Sequence, residues 1–163
     1  MLKKYILFLT VTAFVLVMDQ MTKAVVLTHM DIHASISVIA GFFSITHVRN
    51  PGAAFGFLTG AAPVFRHFFF LTVTVIAVLL ILYYLKGTDA KDRGVVLSLS
   101  LILSGALGNL IDRVRFGEVV DFLDVYIGFF PSLPHWPAFN VADSAISVGA
   151  VILIWQMIVK RPG

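Results

Sequence analysis

The chain has 163 residues, of which 59% are hydrophobic and only 13% charged, a balance that a soluble domain of this size does not carry and that places it in the membrane class. Its formal net charge of +3 is scattered, with no Lys/Arg run interleaved with aromatics, so nothing points to a nucleic-acid partner. There is no cysteine, which excludes disulfides, thiolate metal sites, a cysteine nucleophile and lipidation of the chain's own cysteine.

Four apolar segments, residues 5–27, 64–85, 95–112 and 138–159, are expected to be transmembrane helices. The second, at about 1.5 Å per residue, extends roughly 33 Å and spans a bilayer core. The first follows "MLKK", as a signal peptide would. Its long apolar run, the absence of a small-x-small cleavage site and the polar pair near its far end favour a retained helix. Four spans put both termini on one side. With that side cytoplasmic, Lys3, Lys4, Lys86, Lys91, Arg93, Lys160 and Arg161 lie inside, against Lys23, Arg49, Arg66, Arg113 and Arg115 outside, so the expectation is N-in, C-in. Of the nine acids only Asp89 and Asp92 then fall inside.

On the first helix, Asp19 and Lys23 stand at i and i+4 on one face. They read either as a self-neutralising pair with Lys23 reaching toward the interface or as part of a polar site. Residues 31–57 partly alternate at Ile32, Ala34, Ile36 and Val38 and are rich in β-branched and aromatic residues. They predict short strands with turns at Gly41 and Asn50-Pro51-Gly52, forming a small sheet outside the apolar core of the bilayer. The small residues from Gly52 onward leave room for close approach to the backbone. The polar loop 86–93 makes its two flanking helices antiparallel neighbours.

The third helix offers Ser104, Gly105 and Gly108 as a packing face. Asn109, Asp112 and Arg113 follow at its end, where Asp112 reads as a surface ion pair with Arg113 or Arg115, and Gly117 is expected to break the helix. Asp121 and Asp124 lie in a re-entering apolar stretch. The fourth helix opens with Asn140-Val-Ala-Asp143, which resembles a capping box. Asp143 is therefore either a cap or a catalyst.

The combination favours a site. Asp19, Asn109, Arg113, Asp121, Asn140 and Asp143 map to one depth on different elements, and ionisable groups in a membrane are costly and often functional. Two carboxylates in one pocket share a proton, so one can activate water while the other polarises a carbonyl, hydrolysing an amide without metal, serine or cysteine. No metal-binding, serine-hydrolase or phosphate-loop motif is present, and His29, His33, His47, His67 and His135 read as surface residues. A small proton-coupled transporter is the alternative, weakened by inner helix halves that lack polar groups, and a non-catalytic lipid-binding protein is a second.

Four boxes, "DQMTK" (19–23), "RNPGAAFG" (49–56), "GNLIDRVRFGEVVDF" (108–122) and "FNVADSAISVG" (139–149), in this order over essentially the whole chain, resemble those of lipoprotein signal peptidase, or signal peptidase II. The resemblance implies an all-α membrane fold of four helices with a small extracytoplasmic β-cradle and a short periplasmic helix. It implies a bacterial inner-membrane aspartic endopeptidase acting at the periplasmic face. Its substrate would be a diacylglyceryl-modified prolipoprotein, cut before the lipidated cysteine, and its inhibitor the cyclic peptide globomycin. The resemblance makes Asp121, rather than Asp124, and Asp143 the catalytic pair. Asp19, Lys23, Asn50, Gly52, Gly105, Asn109, Arg113, Asn140 and Ala142 match the positions that surround site and substrate. No cofactor or metal is expected. The expected partners are the substrate, membrane lipid and the inhibitor, for a chain working as a monomer.

Overall fold

The computed structural model describes residues 2–52, 58–126 and 136–159. Four helices, α1 (Leu2–His29), α2 (Pro63–Gly87), α3 (Arg93–Phe116) and α4 (Val141–Val159), are each long and apolar enough to cross a membrane. Half of the most apolar window of α3 is buried inside the protein, against 17% for each of the other three, so α3 is the central helix. It packs against α1, α2 and α4. Its sequence explains the position: Ser98, Ser104, Gly105, Gly108 and Asn109 form a buried face of small and polar residues. A Cβ on Gly105 would run into the carbonyl oxygen of Ala142, so this glycine sets how closely α4 can approach. Phe14 of α1, Leu79 and Tyr83 of α2, and Val151 and Trp155 of α4 point outward, an apolar girdle that only lipid would cover.

α1, α2 and α3 extend beyond the apolar segments that announced them, and α4 falls short of its own. α3 runs on to Phe116 and stops at Gly117, whose left-handed backbone (φ +77°) closes the last turn through its amide on the Arg113 carbonyl. α4 begins only at Val141, because Phe139 is extended and forms a bridge with Leu123. At the opposite end, Lys4 is buried, and its ammonium donates to the carbonyls of Leu85 (2.8 Å), Lys86 (3.1 Å) and Thr88 (2.7 Å), closing the C-terminus of α2.

At the other end of the bundle lies a three-stranded antiparallel sheet in the order β1 (Ser35–Ile39), β2 (Phe43–Asn50), β3 (Val119–Val125). Gly41, at φ +74°, makes the expected turn between the first two strands. The third strand was not expected. Its first four residues, Val119 to Phe122, are all buried, so no alternation betrays it. A register irregularity between Ile45 and Val48 carries His47, which is buried with its Nδ1 2.9 Å from the carbonyl of Met30. The surface reading therefore fails for His47 and holds for the exposed His29, His33 and His67, while His135 lies outside the described residues. Val26, Val120 and Phe122 form a small core where α1 meets β3. No short extra helix occurs among the described residues.

Candidate active site

Pleating and capping deliver the two central carboxylates. Asp121 sits on β3 opposite Val48 of β2, and Asn50, two residues along β2, stands on the same face. The Asn50 amide Nδ2 donates to one Asp121 oxygen at 3.0 Å, and that of Asn140 donates to the other at 2.8 Å. Asp143 lies in the first turn of α4. Its oxygens accept from Asn109 Nδ2 (2.8 Å) and from the Asn140 backbone amide (3.3 Å), while its own amide donates to Asn140 Oδ1 (2.9 Å). Asn140 and Asp143 thus form a reciprocal capping box. One residue, Asn140, holds Asp121 with its side chain and Asp143 with its backbone. The cap is also what aims Asp143.

Asp121 is 2% exposed. Burial, reinforced by the nearby Asp143 charge, pushes its carboxyl up to about 7, against the hydrogen bonds from Asn50 and Asn140 and the charge of Lys23. Asp124 stands opposite Ser44, an odd number of residues along the strand from Asp121, and does not line the groove described below.

A fully buried set of charges fixes the surroundings. Lys23 Nζ lies 2.9 Å from Asp19 Oδ2, 2.9 Å from Asp112 Oδ2 and 3.1 Å from Asn109 Oδ1. Asn140 donates to that same Asn109 oxygen at 3.2 Å, so the amide group of Asn109 is left to face Asp143. The second oxygen of Asp19 accepts the Ala142 amide (2.9 Å), tying α1 to the start of α4, and Asp112 accepts the amide of Val120 (3.1 Å), next to Asp121. Gln20 Nε2 bridges Asp19 and Asp112 at 3.1 Å each. One expectation changes here, and one open alternative closes. Asp112 does not pair with Arg113 or Arg115 at the surface, since it is 1% exposed and bound to Lys23. Lys23 does not reach outward, being 2% exposed. Sequence reasoning left Gln20 and Asp112 out of the site, although both were visible as polar residues one turn from Lys23 and Asn109 respectively.

Arg113 donates through Nη2 to the Gly52 carbonyl at 3.0 Å and lies 4.1 Å from the ring centre of Phe70 on α2. The Gly52 amide in turn donates to Asn50 Oδ1 (3.0 Å), which leaves the Asn50 amide group for Asp121. Every residue picked out from the sequence therefore touches the pair or one of its supports, and Gly105 and Ala142 do so by allowing α3 and α4 to come together. The carboxylates open on a groove of about 710 Å³. Asn50, Asn109, Arg113, Asp121 and Asp143 contribute its polar wall, and Phe70, Val73 and Ala77 of α2 face Ile146 and Val148 of α4 across the apolar remainder.

The family model described as Signal peptidase (SPase) II matches residues 11–159. The chain belongs to the signal peptidase II family. A lipoprotein signal peptidase of Syntrophus aciditrophicus is 55% identical over 99% of this chain and 98% of its own length. One from Geobacter metallireducens is 51% identical over 94% and 91%. Among solved structures, a bacterial membrane enzyme determined by the in meso method at 2.3 Å superposes with a TM-score of 0.80, at 36% identity over 96% of this chain and 92% of that one. Family membership makes this multi-pass membrane protein a peptidase, and the four helices with a small antiparallel sheet are the arrangement that the sequence predicted.

Proposed function

We propose that this signal peptidase II removes the signal peptide from diacylglyceryl-modified bacterial prolipoproteins, cutting before the lipid-bearing cysteine, with Asp121 and Asp143 as an aspartic pair. One observation carries the reading: two carboxylates are held by the same Asn140 at the polar end of an apolar groove flanked by α2 and α4. A peptide bond seated at that end meets the pair, while acyl chains stay against the apolar walls.

In this mechanism the pair holds one proton and a water. The ionised carboxylate takes a proton from the water as its oxygen attacks the scissile carbonyl. The protonated carboxyl gives its hydrogen to the carbonyl oxygen, and collapse of the tetrahedral intermediate returns a proton to the leaving amine. Asn50, Asn109 and Asn140 fix the carboxylates for attack, and the buried Lys23 charge favours keeping one of them ionised. The chain works as a monomer in the inner membrane, N-in and C-in, with the groove mouth toward the periplasm. Globomycin occupies the same groove as the substrate.

The test follows the gel shift of a diacylglyceryl-prolipoprotein with purified enzyme in detergent. Asp121→Asn and Asp143→Asn should abolish cleavage, and Asp124→Asn should retain it, each with its fold verified by circular dichroism. Normal cleavage by a folded Asp143→Asn would reduce that residue to a helix cap and end the proposed mechanism.

A further inference from the structure

Away from the carboxylate pair, two arginines from two elements lie over one ring, and a third from another element shares a groove with that ring. Arg49 near the end of β2 and Arg115 in the last turn of α3 each place a guanidinium 4.8 Å from the centre of Phe116. Arg66, in the first turn of α2, lines with Phe116 a separate groove of about 520 Å³. It spends one nitrogen on the Thr59 carbonyl (2.7 Å). None of the three forms an ion pair with a carboxylate among the described residues. Among the described residues Glu118 is the one acid lining this groove, and His67 adds a further basic group. The three arginines have Phe116 as a common neighbour, a place where a counter-charge from outside the chain fits.

The place says what that is. Arg66 begins one apolar helix and Arg115 ends its neighbour, so both lie where the chain leaves the bilayer interior, at the level of lipid headgroups. A guanidinium fork matches the oxygens of a phosphate. Val64 and Phe68 line the same groove and are exposed on the lipid-facing surface of α2, so an acyl chain can lie along them. A free phosphate would have no use for that apolar flank.

We propose that Arg49, Arg66 and Arg115 form a binding site for the phosphate of an anionic phospholipid, whose acyl chains lie against Val64 and Phe68. The site is distinct from the Asp121–Asp143 groove and does not depend on the peptidase mechanism. To test it, the purified chain is equilibrated with micelles containing equal amounts of phosphatidylglycerol and phosphatidylcholine, and bound lipid is counted by native mass spectrometry. Phosphatidylglycerol adducts should dominate. Arg49→Gln, Arg66→Gln and Arg115→Gln should each weaken them about five-fold, and Lys91→Gln at the other end of the bundle should not. Arg115 is exposed at a helix end, so its variant decides the matter if another fails to fold. Equal retention of both lipids, or unchanged retention in a folded Arg115→Gln, would overturn the proposal. Displacement of the adducts by millimolar inorganic phosphate would show a free-anion site and overturn the lipid assignment.

Discussion

Asn140 is the residue through which the two carboxylates are tied, and the proton on Asp121 is the quantity that exposes the tie. In an unfolded chain Asp121 ionises near 4. In the fold it keeps its proton up to about 7. The folded state therefore binds more protons between these values, and stability must fall as pH rises through the window, by a few kcal/mol at most. Thermal unfolding in detergent should show that decline between about pH 4 and 7, and Asp121→Asn should flatten it. Cleavage should be bell-shaped in pH, with the alkaline limb falling near 7 as the shared proton is lost; a flat profile through acid and neutral pH would count against a one-proton pair. Asp112 makes a second prediction at this scale. Its loss leaves Lys23 with one carboxylate fewer and the Val120 amide without an acceptor. Asp112→Ala should cost about 3 kcal/mol, read as a lowered unfolding midpoint, with cleavage reduced as well. The capping geometry of Asp143 was legible because a capping box has a fixed spacing. The role of Asp112 was not, because Arg113 and Arg115 are near it in sequence, while its partner Lys23 comes from another helix and is brought close only by the fold.

At the scale of elements, the helices were legible and β3 was not, for one physical reason. A span announces itself by length and apolarity, whereas a short strand buried on both faces shows no period and looks like the apolar stretch that it is. The packing face of α3 could be read from Ser104, Gly105 and Gly108, but not which helix each residue would meet. The structure sets Gly105 against the Ala142 backbone, at the helix start that carries Asp143. A backbone oxygen cannot swing aside as a side chain can. Gly105→Val should therefore push α4 away, costing about 1–3 kcal/mol, and should depress cleavage more than a substitution of equal size on the outer face of α3. Unchanged unfolding and unchanged cleavage in Gly105→Val would mean that the α3–α4 spacing is not what aims Asp143.

For the molecule as a whole, the sequence located the polar residues at one depth, and the fold explains why they can stay there. Sheet and helix ends enclose the charges, α3 fills the centre, and α2 and α4 leave an apolar groove between them leading to Asp121 and Asp143. A substrate whose acyl chains remain in lipid has to reach the pair along that groove, moving sideways between the two helices. The absence of cysteine in the chain makes the route testable, because an introduced pair is the only pair. Val73 of α2 and Val148 of α4 both line the groove. With both changed to cysteine, the reduced enzyme should cleave, and bridging them with a short cleavable thiosulfonate linker should stop cleavage until reductant restores it. Each single-cysteine variant, treated in the same way, should keep most of its activity. If the bridged enzyme cleaves the lipidated substrate at the rate of the reduced one, the substrate enters by another path and the groove between α2 and α4 is not its route.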